Sequence, residues 1–174
     1  MTLEQICALH DSEKVVMTDY PDADLITNLE HNIATSKHLL PSPSDPNIVA
    51  EGYLWGASPS PLLSHLPPND SGFDLLILAD VLFNHSQHDA LLATVQQTLR
   101  HSSHAQALVF FTPYRPWLYE KDMAFFGLAQ EGGFEVEKVL EEVMEEVMFP
   151  EDPGDEMLRR TVFGYALRWK EGAG

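Results

Sequence analysis

The sequence predicts an α/β protein built on a doubly wound, mostly parallel sheet. Apolar runs of strand character alternate with stretches of helical spacing, as they do when strands are joined by helical crossovers. One run, Phe73 to Ala79, is apolar except for Asp74, the pattern of a parallel strand buried on both faces and therefore central. The last two runs, Phe134 to Leu140 and Thr161 to Trp169, have no useful helix between them, which predicts an antiparallel hairpin closing the sheet.

Along the chain, a short helix over Leu3 to Leu9 leads into a first strand-like run, Val15 to Thr18, bounded by TDYPD. Asp22 is placed to cap the next helix, whose Leu25, Ile26, Leu29 and Ile33 form one buried stripe. LLPSPSDPN interrupts it, and a second strand is expected from Ile48 to Trp55. The Pro and Ser content of ASPSPLLSHLPPNDSG forbids any long element before Phe73. Ser86 and Asp89 resemble a capping box ahead of a helix presenting His88, Leu92, Val95 and Leu99, with Leu91 beside them. Ala107 to Thr112 is a further buried strand. Past Pro113 and Pro116 comes a helix carrying Leu118, Phe125, Phe126 and Leu128, which Gly132 and Gly133 stop. EEVMEEVMFPEDPGDEMLRR then reads as a strand extension plus an acidic loop.

A length of 174 residues with 44% hydrophobic content supports a single domain over residues 1–174. The lone cysteine, Cys7, excludes an internal disulfide and is expected to be buried rather than reactive. With no basic leader and no long apolar run, a cytoplasmic protein that does not engage a membrane is the expectation. The net charge of −17, from 27 acidic residues against 10 Lys and Arg, would repel a phosphate backbone, so nucleic acid is not expected as a partner. Basic proteins or neutral small molecules fit better, although an acidic surface also serves solubility alone.

In a doubly wound sheet, ligands bind beyond the carboxyl ends of the strands. The residues there are Asp19 and Tyr20, Trp55 and Gly56, Ala79 and Asp80, and Thr112 to Tyr114. Asp19 can accept hydrogen bonds from both hydroxyls of a ribose, or it can cap the following helix. Trp55 can edge a purine while Gly56 lets the backbone come close, or it can be a core tryptophan. Ala79 leaves room that a bulky residue would fill. Asp80 closes an apolar run, so its carboxylate must find donors or water. Asn84, His85 and His88 suggest a metal cluster, but convergent further ligands are lacking, and a helix start with a satisfied histidine is the better reading.

Taken together, KVVMTDYPDADLITNLEHNI, GYLWG, FDLLILADVLFNHSQHDALL, FFTPYRPWLYEKDMAFF and FPEDPGDEMLRRTVFGYALRW resemble the fungal protein N-terminal and lysine methyltransferases of translation elongation factor 1-alpha. Members of that group are often labelled nicotinamide N-methyltransferase-like. The resemblance runs from about Lys14 to Trp169, and the combination of TDYPD, GYLWG and DPGDE is what makes it specific. It implies a Rossmann-like seven-strand methyltransferase sheet of order 3-2-1-4-5-7-6 with strand 7 antiparallel, and S-adenosylmethionine as cofactor. It further implies that Asp19, with Tyr20, binds the ribose, and that Trp55, Gly56 and Ala79 line the adenine. Asp80 to Phe83 match the family's Asp-x-x-Tyr/Phe element, which sets Asp80, Phe83 and the following Asn84 beside the substrate. The implied partner is a basic protein, elongation factor 1-alpha.

The resemblance also places a first strand and a glycine-rich turn before Leu3, whereas no glycine precedes Gly52. The expectation is therefore an N-terminally truncated domain lacking the loop that holds the methionine end of the cofactor, and so poorly active or inactive. Alternatives are a non-catalytic truncated relative or a small-molecule, nicotinamide-type N-methyltransferase. A nicotinamide dehydrogenase would need a glycine fingerprint ahead of Asp19, and none is present.

Overall fold

The computed structural model of the protein describes residues 12–36 and 47–172. The expected helix at Leu3 to Leu9 and Cys7 lie outside the described residues, as does most of LLPSPSDPN. The chain divides after Asp70 into two compact units.

In the first unit, strands β1 (Val15–Asp19) and β2 (Ile48–Gly52) pair in parallel, with Asp19 opposite Gly52. Helix α1 (Ala23–Ser36) follows β1 at once because Asp22 starts it. The Asp22 carboxylate accepts the N–H of Asp24 at 3.0 Å and of Leu25 at 3.4 Å, satisfying donors that the first turn leaves without intrahelical partners. Met17, Ile33 and Ile48 form the core, with Val15, Leu29 and Ala50 packed against it. Leu25 departs from the expected stripe and is exposed. At 3.6 residues per turn it sits about 80° round the helix from Ile33, whereas Ile26 sits within about 20°.

The second strand is shorter than expected and ends at Gly52 rather than Trp55. Ala57 N–H donates to Leu54 O at 3.0 Å, closing a turn in which Gly56 has φ of 77°, a conformation glycine adopts without steric penalty. Beyond it stands only the single-turn helix α2 (Ser60–Leu63).

The second unit carries a four-stranded sheet of order β3-β4-β6-β5, formed by β3 (Leu75–Ala79), β4 (Gln106–Phe111), β5 (Phe134–Val143) and β6 (Thr161–Trp169). β3 and β4 are parallel, and β6 runs antiparallel to both β4 and β5. This is the order and direction the resemblance implies for strands 4, 5, 7 and 6. The expected C-terminal hairpin is present, and β5 extends to Val143 before the acidic loop.

One expectation is corrected. Among the described residues the apolar run Phe73 to Ala79 is not the centre of this sheet: β3 pairs there with β4 alone, and Leu75 is 40% exposed. The interior strands are β4 and β6, each with a strand on both sides, and β6 is buried at Thr161 and from Phe163 to Leu167. A run that is apolar throughout does not distinguish an edge from a centre; pairing does.

Two helices cover the sheet's aromatic side: α3 (His88–Thr98), preceded by a 3₁₀ turn at His85–Gln87, and α4 (Tyr119–Glu131). The buried stripe of α3 holds His88, Leu91, Leu92, Val95 and Thr98. The Ser86–Asp89 capping box does not form, because the 3₁₀ turn begins the element earlier and Ser86 Oγ donates to Asn84 Oδ1 at 3.1 Å instead. On α4, Phe126 meets Tyr165 of β6 with ring centroids 4.1 Å apart. Gly132 ends α4 with its N–H on Leu128 O. A five-residue helix, α5 (Glu156–Arg160), capped by Asp155, leads into β6.

Gly72 marks a close backbone approach at the start of β3. A Cβ there would lie 2.7 Å from Arg100 N and 2.8 Å from Thr98 O, both backbone atoms tied into the hydrogen bonds that seat Phe73. Gly72→Ala is therefore expected to destabilise the protein by about 1–3 kcal/mol through forced backbone movement, read as a lowered denaturation midpoint.

Candidate functional site

In the first unit, the carboxylate of Asp19 stands exposed at the carboxyl end of β1. One oxygen accepts the Tyr20 N–H at 2.7 Å, while the Asp19 carbonyl accepts the N–H of buried Tyr53 at 2.9 Å. Its side chain does not cap α1; Asp22 does. The second carboxylate oxygen accepts nothing from the described residues, which leaves it available to a ligand hydroxyl. Tyr20 is exposed beside it, and Trp55 is half-buried in the turn with Gly56 rather than at a strand end. The first unit thus presents a strand-end carboxylate that can accept from hydroxyls and, in the turn after β2, a half-buried indole beside a glycine of positive φ.

The second unit holds a cleft of about 490 Å³ beyond the carboxyl ends of β3 and β4. It is lined by Asp80, Leu82, Phe83, Phe111, Thr112, Tyr114, Arg115, Asp122, Phe149 and Asp152. Here the structure brings together Asp80, Phe83, Thr112 and Tyr114, four residues that the sequence singled out. Ala79 precedes Asp80 at the end of β3, and Asn84 accepts from Ser86 in the turn that follows Phe83.

Asp80 adopts φ of 51°, the left-handed region that few residues other than glycine occupy, and such strain concentrates at functional positions. The twist swings its carboxylate back onto the sheet, where Oδ1 accepts the Thr112 N–H at 3.1 Å. Burial raises its pKa above the ordinary value, and the Thr112 bond opposes that rise. Tyr114 is also raised, by burial first and then by the charge of Asp80.

His88 is a satisfied core histidine: its Nε2 meets Leu82 O at 2.8 Å, and its ring stands edge-on to those of His85 and Phe125. His85 meets Asp122 at 2.7 Å between Nε2 and Oδ1. Among the described residues no His, Cys, Asp or Glu groups of three or more gather as a metal site would require.

Asp122, Arg115, Phe149 and Asp152 were not singled out from the sequence. For Asp122 there was a signal: with Phe125, Phe126 and Ala129 it occupies the buried stripe of α4, and a carboxylate on such a stripe needs a reason. Phe149 and Asp152 arrive through the fold of the acidic loop, which no periodicity announces.

Burial pushes the Asp122 carboxyl above its ordinary value, against the pull of the His85 hydrogen bond and charge, then of Arg115 and His88. An acid with a raised folded pKa binds its proton more tightly folded than unfolded. Its ionisation therefore lowers stability as pH rises from the ordinary carboxylate range through the raised value. Asp122→Asn removes that ionisation and keeps an acceptor for His85. Its melting temperature at pH 7 is expected to be no lower than that of the parent, with any advantage shrinking as the pH is lowered through that window.

Comparison with known proteins shows the family and the fold. A family model described as lysine methyltransferase matches residues 3–132. A protein N-terminal and lysine N-methyltransferase from Aspergillus fumigatus is 46% identical over 164 residues, covering 94% of this chain and 62% of its own length. One from Neurospora crassa is 48% identical over 168 residues, covering 94% of this chain and 60% of its own. The chain thus spans about three fifths of the length of these relatives. Among solved structures, a fibrillarin pre-rRNA processing protein from Methanococcus jannaschii aligns over 90% of this chain and 56% of its own, with a TM-score of 0.54 at 14% identity. The methyltransferase domain of bacterial CtHen1 aligns over 93% of this chain and 86% of its own, with a TM-score of 0.51 at 11% identity. At such identities these two structures show the fold alone.

Proposed function

The chain belongs to the lysine methyltransferase family, and we propose that it serves as an S-adenosylmethionine-dependent N-methyltransferase of a basic protein. The proposed acceptor is the N-terminal amine or a lysine of elongation factor 1-alpha, met in the cytoplasm. The observation that carries this reading is the strand-end cleft, where Asp80, Asp122 and Asp152 stand among Phe83, Phe111, Tyr114 and Phe149. Such a lining attracts a cation and shields it from water.

When bound, S-adenosylmethionine supplies a methyl group already activated on a sulfonium. The side chains then have little covalent chemistry to do, and alignment with exclusion of water supplies most of the rate. Asp19 would hold the ribose hydroxyls, with Tyr20 beside it, while Trp55 and Gly56 would border the adenine. Asp80 and Phe83 would receive the acceptor amine, whose nitrogen must be neutral to present a lone pair. The acidic loop carrying DPGDE supports a basic partner through long-range attraction, which raises association rates more than affinity.

Calorimetric titration with S-adenosylmethionine tests the cofactor half of this reading. Saturable binding is expected; a folded protein that gives no heat at millimolar ligand would overturn it.

A further inference from the structure

The pairing of Asp122 with His85 has no role in cofactor binding as proposed, and it lies in a helix and a turn that the strand-end rule does not reach. We propose that Asp122 is the recognition point for a primary ammonium group entering the cleft, with His85 as the residue that positions it; this rests on reading the cleft as the substrate entrance.

Three observations converge. First, Asp122 is the cleft's most buried carboxylate, 7% exposed against the exposed Asp80 and Asp152. Attraction to a cation is screened least there. Like Asp80, which holds the Thr112 N–H on one oxygen, Asp122 has one oxygen fixed, by His85 at 2.7 Å, and presents the other in a set orientation. Second, acidic groups outnumber the basic one in the cleft's lining. The Arg115 guanidinium donates to Phe83 O at 3.1 Å, which leaves three carboxylates facing one arginine. Third, Phe83 is 62% exposed, and Tyr114 and Phe149 stand edge to face with centroids 5.4 Å apart. Open aromatic faces beside a buried carboxylate suit an ammonium group on an alkyl stem, since the rings cover the stem and their negative faces favour the charge.

His85 is in turn braced by the edge of His88, which is fixed on Leu82 O. The charged groups acting on Asp122 are therefore His85, His88 and Arg115. As pH falls, Asp122 gains a proton, and that change works against an incoming cation.

Butylammonium is the probe, followed by NMR titration of the protein. Saturable shifts at His85 and Asp122 are expected, weakened about tenfold or more in Asp122→Asn, which keeps the His85 hydrogen bond but not the charge. Binding is expected to fade as pH is lowered through the raised Asp122 value, and 1-butanol is expected to bind far more weakly. Equal binding of butylammonium to Asp122→Asn, or equal binding of butanol and butylammonium, would overturn the assignment, as would absence of binding in the folded parent. Methyl transfer to a protein amine without butylammonium binding would remove this subsite and leave the proposed function standing. Butylammonium binding without methyl transfer would do the reverse.

Discussion

Phe125→Ala is expected to lower the stability of the protein by about 3–5 kcal/mol, the range for truncating a buried aromatic residue. Phe125 is 0% exposed, stands edge-on to His88 at 5.4 Å and meets Phe126 at 5.7 Å between ring centroids. Its removal opens a cavity where α3, α4 and the 3₁₀ turn meet, and it also takes away the wall against which His88 is set. Since His88 braces His85, and His85 fixes Asp122, the damage is expected to reach the cleft as well as the core. Chemical denaturation measures the first effect, and the His85 imidazole resonance reports the second. A loss under 1 kcal/mol, or an unmoved resonance, would mean that packing at Phe125 is not what holds the histidine pair.

For cofactor affinity the largest single effect is expected at Asp19. Asp19→Ala removes a charged acceptor, and hydrogen bonds to charged groups contribute about 1.5–3 kcal/mol, or roughly 10- to 100-fold in affinity. The side chain is exposed and does not cap α1, so stability should change little. That separation makes the variant informative: weakened S-adenosylmethionine binding with an unchanged melting temperature is the expected pair of results in calorimetry and thermal unfolding. Unchanged affinity would relocate the ribose site away from β1.

Much of this was legible in the sequence because the relevant signals are local. Asp22 as a cap, Gly132 as a helix stop, and the absence of a helix between β5 and β6 each follow from a few adjacent residues. Asp80 could be anticipated to need a donor because a charge cannot close an apolar strand without one, and the Thr112 N–H is that donor. What was not legible depends on pairing across the chain. Phe73 to Ala79 and Thr161 to Trp169 are both apolar, yet only the second acquires two neighbours in its sheet. Tyr53, Leu54 and Trp55 have β character, yet the strand ends at Gly52 and Trp55 falls in a turn in which Gly56 adopts positive φ. The partner of Asp122 is His85, 37 positions earlier in the 3₁₀ segment, a pairing that no local pattern announces.

Incubating the protein with S-adenosylmethionine and elongation factor 1-alpha, with nicotinamide in parallel, and mapping the methylated position by tandem mass spectrometry tests the central claim most directly. The account predicts methyl groups on the N-terminal amine or a lysine of the elongation factor, reduced in Asp19→Ala, and none on nicotinamide. Methyl transfer to nicotinamide alone, or cofactor binding with every amine of the elongation factor left unmodified, would contradict it.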